Sequence, residues 1–147
     1  MSYFKTFRSS TTLVVSTFFI ACLLCFGASS AAADSCSSAA KELQASYDVV
    51  QGKGGLWGFL EQRGELKEKS ILGLQADSKI QRGVVIFNEM CKSSKTPDMS
   101  AFKSLQDVIG DARMVFNLNE STPAKKILEA VTQVNQKADK VLASLEQ

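Results

Sequence analysis

Histidine is absent from this 147-residue chain, and that absence excludes several chemistries together. Histidine is the usual general base near neutral pH, a common transition-metal ligand and the usual axial ligand of haem. Ordinary hydrolytic triads, His-bearing zinc sites and His-ligated haem are therefore ruled out. An excess of one charge is also missing. The chain carries 17 Lys and Arg against 15 Asp and Glu, too even a balance for nucleic acid, which is bound through a surplus of cations. Strand alternation is nearly absent. There are only two prolines and one tryptophan, and no Walker-type ending follows Gly52-Lys53-Gly54-Gly55, so no phosphate loop is present. Nothing pairs a nucleophile with a base, and the residues call for no cofactor, no metal and no enzyme.

The first 33 residues supply an address. Lys5 and Arg8 precede an uncharged run from Ser9 to Ala33, apolar from Leu13 to Phe26 and closed by Ala31-Ala32-Ala33. This is the three-part pattern of a cleaved secretory signal peptide over residues 1–33, with a single helical-bundle domain over 34–147 and a periplasmic or secreted destination. About 20 apolar residues can also span a bilayer, but Ser16, Thr17 and the small-residue ending favour cleavage. A lipid attached at Cys22 fits poorly, because Leu23 to Phe26 continue the apolar run. Losing Lys5 and Arg8 takes the 17 basic residues to 15, equal to the 15 acidic ones.

Cleavage also removes Cys22 and Cys25 and leaves Cys36 and Cys91. An even pair in an exported chain is expected to form a disulfide, free thiols or an intermolecular bond being the alternatives. A loop of that length would stabilise by about 3–5 kcal/mol on a chain-entropy estimate.

Four apolar stripes follow helical periods. The first is Cys36, Ala40, Leu43, Tyr47 and Val50. The second, Ile80, Val84, Phe87 and Cys91, ends at the breaker Ser93-Ser94-Lys95-Thr96-Pro97. The third, Phe102, Leu105, Ile109, Ala112 and Phe116, has Asp98 or Ser100 as a candidate cap. The fourth, Ile127, Val131, Val134, Ala138, Val141 and Leu145, follows Ser121-Thr122-Pro123, which predicts a Thr122 cap with Pro123 as the first helical residue. Short polar connectors between such helices imply antiparallel neighbours, and the expected fold class is all-α, an antiparallel (up-down) bundle of about four helices with a Cys36–Cys91 disulfide.

Residues 51–77 are ambiguous by period. If Cys36 and Cys91 meet at the open end of a hairpin, its turn falls midway, at Arg63-Gly64. The first helix must then bend or break at Gly52-Lys53-Gly54-Gly55, where each interior glycine costs about 1 kcal/mol relative to alanine. Gly52, Gly54, Gly55 and Gly58 are the predicted hinge, and Asp77 and Arg63 are read as signs of a turn, cap or kink nearby. Glu61, Glu65 and Glu68 are interleaved with Arg63, Lys67 and Lys69 and read as a solvated charged face. Met90, Met99 and Met114 are scattered and read as core filling. Asn119-Glu120-Ser121 is a glycosylation sequon, meaningful in a eukaryotic secretory pathway. Asn135 flanks the fourth stripe.

Gly54-Gly55-Leu56-Trp57-Gly58-Phe59-Leu60 is the one unusual local sequence. Leu56, Trp57, Phe59 and Leu60 either close one end of the core or form an apolar tip that meets a partner. Two alternatives accompany contact with a partner protein as the expected function. One is a carrier holding a small apolar ligand or cofactor in the bundle core, and the other a peripheral membrane binder using the same tip.

Overall fold

The computed structural model describes residues 34–64, 67–93 and 99–147. The leader, the side chains of Glu65, Lys67 and Glu68, and the breaker from Ser94 onward with Asp98 lie outside the described residues. Five helices follow one another: α1 over residues 34–51, α2 (Gly55–Gln62), α3 (Lys67–Lys92), α4 (Met99–Phe116) and α5 (Ala124–Leu145). The first two are one bent arm, so the molecule is a four-membered, all-α bundle with no strand among the described residues.

The stripes form the core. Leu43, Val50, Ile80, Val84, Phe87, Leu105, Ile109, Ile127 and Val131 are fully buried, and Ala40, Phe102 and Phe116 pack at its edge. At about 25 cal/mol per Å² of apolar surface removed from water, these side chains are the main favourable term in folding. Cys36 and Cys91 are bonded, with Cα atoms 5.5 Å apart, which fastens the start of α1 to the end of α3.

Side-chain bonds give the direction of each helix. Cys36–Cys91, Asn88 Nδ2 to Gln44 Oε1 at 3.2 Å and Leu56 N to Asp77 run the bent arm antiparallel to α3. The Lys137–Asp111 pair, with Leu118 near Ala130 at one end and Ser104 near Val141 at the other, runs α5 antiparallel to α4. Lys79 reaches Asn135 and Asp139, and Arg82 reaches Glu146, so α3 and α5 are parallel neighbours. Gln106 to Glu42 and Arg113 to the Ser46 carbonyl make α1 and α4 parallel neighbours too.

Successive members of the bundle thus alternate in direction, while the order around it is α1/α2, α3, α5, α4. The expectation that a short connector makes adjacent partners holds for α4 and α5. It is modified for α3 and α4, which face each other across the core. There Phe87 and Phe102 lie 5.8 Å apart, and a Cβ on Gly83 would come within 2.8 Å of Leu105 Cδ2.

At the start of α5 the expected register moves by one residue. Pro123 is the N-cap, with ψ at 138°, and its carbonyl accepts from Lys126 N and Ile127 N. The Thr122 hydroxyl donates instead to Asn119 Oδ1 at 3.0 Å, and no side chain caps the helix.

Candidate interaction site at the glycine bend

Three backbone bonds close the end of α1: Gly52 N to Asp48 O, Lys53 N to Val50 O and Gly54 N to Gln51 O. The chain then passes through two left-handed residues, Gly54 at φ 78° and Gly55 at φ 64°. An L side chain pays about 1–2 kcal/mol for that conformation. Of the four hinge glycines, Gly54 and Gly55 therefore make the bend. Gly52 sits in the turn just past α1, and Gly58 is buried inside α2.

Gly54 caps α2 but has no side chain with which to accept from it. The orphan donors are met from α3. Leu56 N donates to Asp77 Oδ1 and Trp57 N to Asp77 Oδ2, both at 3.0 Å. Asp77 is the cap that the sequence hinted at, acting on a helix 20 residues upstream. A carboxylate at a helix N-terminus is favoured by the helix dipole. The fit admits no Cβ on Gly55, which would lie 2.5 Å from Asp77 Oδ2.

Burial raises the Asp77 pKa above its ordinary value, against the two N–H donors, which lower it. The neighbouring Tyr47 is buried. Its phenol is pushed up to about 12, first by burial and then by the Asp77 and Asp48 charges.

The next turn of α2 crosses α3 at Gly73, where a Cβ would stand 3.0 Å from Trp57 N and from Leu60 Cδ1. This close approach was not read from the sequence, although a glycine inside a helical pattern is the available signal for one. The crossing sorts the four predicted contact residues. Leu56 and Leu60 have no exposed surface and close the core, the first of the two readings of this segment, so of the four candidates these two are not available for contact. Phe59 is half-buried and meets Phe116 edge-on, with ring centroids 5.5 Å apart. Trp57 is 40% exposed.

Cations surround the bend. The Lys53 ammonium lies 5.9 Å from the Phe116 ring centre, and the Arg63 guanidinium 5.5 Å from that of Phe59. Arg63 donates to the carbonyls of Leu118, Asn119 and Glu120. It ties the end of α2 to the loop after α4, where the Asn119 carbonyl also accepts from Thr122 N. The turn itself is where the cysteine spacing put it, with Gly64 at φ 65°.

Trp57 is not alone outside. Ile71 (46% exposed) and Leu74 (54%) lie on α3 within two residues of the Gly73 crossing, and Val85 (52%) follows three turns further along. Elsewhere the exposed large apolar residues Val49, Met99 and Met114 are dispersed, so the core-filling role expected of Met99 and Met114 is not theirs. Met90 packs against the core.

A surface groove of about 320 Å³ lies between α1 and α3, lined by Ser37, Ala40, Lys41, Gln44, Asn88, Cys91 and Lys92. Among the described residues no group of three or more His, Cys, Asp or Glu could hold a metal ion, and no helix is long and apolar enough to cross a membrane. No family model, curated protein or solved structure matches the chain.

Proposed function

We propose that this chain is an exported, non-enzymatic protein that acts by contact with protein, through the outer surface of the α2–α3 crossing. The observation that carries the reading is the exposure of Trp57 on α2 and of Ile71 and Leu74 on α3, the helix that α2 crosses at Gly73, while Leu56 and Leu60 of α2 are buried. Tryptophan and large aliphatic side chains lose the most by staying in water and anchor interfaces when grouped. The support beneath them is rigid. Asp77, Gly73 and the bent glycines fix α2 against α3, so little ordering cost attaches to presenting Trp57.

Export is supported by the leader pattern and is compatible with the disulfide, which persists in oxidising compartments. The test is chemical cross-linking in the exported fraction followed by purification, comparing wild type with Trp57→Ser/Leu74→Ser. Both positions are exposed, so the far-UV spectrum should be unchanged. Loss of the cross-linked species in the variant is the expected result. Identical species from both proteins would overturn this role for the surface.

A further inference from the structure

The ends of α1 and α4 enclose a space that the contact surface does not use. The two helices are parallel neighbours, so their C-termini come together. Between them lies an open cavity of about 300 Å³ lined by Val49, Lys53, Arg113, Phe116 and Asn117, a volume at the lower end of the range for small-ligand sites. It lies on the α1–α4 side of the bundle, apart from Ile71 and Leu74 on α3.

The lining is cationic and unneutralised. It contains no acidic side chain, and among the described residues no carboxylate pairs with Lys53 or Arg113. The acids nearest in sequence are engaged elsewhere. Asp48 is on the α3 side of α1, where it accepts from Gln44, itself bonded to Asn88 of α3, and Asp111 meets Lys137 of α5.

The helix dipole accounts for only part of this charge. Arg113 is in the last turn of α4, where a cation is favoured, but two helix C-termini together supply about one negative charge. Lys53 and Arg113 bring two positive ones, so a surplus of about one remains. Nor do the terminal carbonyls depend on these side chains, because Gly52, Lys53 and Gly54 N close α1 while Asn117 N and Leu118 N close α4. The Arg113 guanidinium is itself short of acceptors. Its Nη2 donates to the Ser46 carbonyl at 3.3 Å, and its Nε is buried without an acceptor. Most of its five N–H donors are unspent, and a carboxylate is an acceptor that matches their fork.

The walls add an apolar requirement. Val49 is half exposed, and Phe116, met edge-on by Phe59, has the Lys53 ammonium 5.9 Å from its ring centre. An anion beside that ring is within reach of both cations. The Asn117 amide, whose only contact is the Met114 thioether at 3.9 Å, is a further donor.

We propose that this cavity binds a small amphipathic monoanion, a carboxylate on a short apolar body. Arg113 and Lys53 hold the carboxylate, and Val49 and Phe116 cover the apolar part. The single surplus charge selects a monoanion, and the apolar walls favour it over a hydrated ion such as phosphate. The site is outside the bundle core and does not rest on the contact reading.

The experiment is calorimetric titration of the exported protein, its Cys36–Cys91 bond intact, with octanoate below the concentrations at which octanoate aggregates. Saturable one-to-one binding is expected, with octanamide and inorganic phosphate each at least tenfold weaker. Lys53→Gln and Arg113→Gln should each raise the dissociation constant at least fivefold. Asn117→Asp, which brings a carboxylate into the lining, should raise it at least tenfold. Lys53 and Asn117 are exposed, so their variants should keep the far-UV spectrum even where Arg113→Gln does not. Trp57→Ser, and Lys41→Gln in the groove between α1 and α3, should bind as the wild type does. No saturable binding would overturn the proposal, as would octanamide or phosphate binding as tightly as octanoate. So would affinity that Lys53→Gln and Asn117→Asp leave unchanged, or that Lys41→Gln or Trp57→Ser removes.

Discussion

Replacing Gly55 by alanine should cost far more than one methyl group implies. The backbone there has φ 64°, which an L residue adopts at about 1–2 kcal/mol. The added Cβ would stand 2.5 Å from Asp77 Oδ2 and 2.8 Å from its Cγ, so the carboxylate must swing away. It then releases Leu56 N and Trp57 N, each in a bond with a charged acceptor of the kind contributing about 1.5–3 kcal/mol. Water can recover part of that at the partly exposed Trp57. The expected total is about 3–5 kcal/mol, read as a shift of the urea midpoint by far-UV circular dichroism and Trp57 emission. A double-mutant cycle isolates the cause, because Asp77→Ala removes both the clash and the two bonds. In that background Gly55→Ala should cost only about 1–2 kcal/mol, leaving a coupling of about 2 kcal/mol or more. A loss below about 1 kcal/mol for Gly55→Ala alone, or additive costs in the double variant, would refute the account of Asp77 as the cap that holds α2.

Other consequences are open to measurement. Because burial raises the Asp77 pKa from 3.8, the ionised form is the costlier one in the folded state. Its contribution to stability should be complete below the ordinary carboxylate range and diminish as pH rises through the elevated value. Urea midpoints compared with Asp77→Asn across that window should show this fall in the wild type alone. Tyr47 should ionise near 12, followed by absorbance at 295 nm, with its share of stability present below pH 10 and lost as pH rises towards 12. Cys36→Ser/Cys91→Ser opens a loop of 55 residues and should cost about 4 kcal/mol; an unchanged urea midpoint would contradict it. Arg63→Ala removes three bonds to loop carbonyls and should cost about 1–3 kcal/mol in thermal melts, with little change in Leu56 or Leu60 burial.

Much of the architecture was legible because helical burial is periodic. Of the apolar positions in the four stripes, all are buried or packed at the core edge, since a residue's face on a helix depends on its number alone. The position of the Arg63-Gly64 turn followed from the cysteine spacing, because a disulfide fixes two chain points in one place. The candidate site was harder to read. Leu56, Trp57 and Leu60 share a composition but not a fate, and what separates them is the crossing at Gly73, a tertiary contact between segments with no local signal of partnership. The same holds for Asp77, whose polar interruption of an apolar face was visible while its acceptor role toward Leu56 and Trp57 was not. Thr122 was misassigned because its hydroxyl donates to Asn119 Oδ1 while the helix starts one residue later, with Pro123 as its N-cap, and only the three-dimensional turn reveals either.

The bond between Cys36 and Cys91 has a consequence for how quickly the chain can fold. Pairing α1 with α3 joins segments 55 residues apart, and an open chain must spend loop-closure entropy before any of that contact is rewarded. Once the bond exists, the same pairing becomes a local zipping event that starts from the closed end. The slow search then passes to α5, whose partner for Asn135, Lys79, lies 56 residues back and has no covalent help. Refolding of the oxidised chain should therefore be governed by the docking of its last helix, whereas in the reduced chain the first and last helices face searches of nearly equal length, 55 and 56 residues.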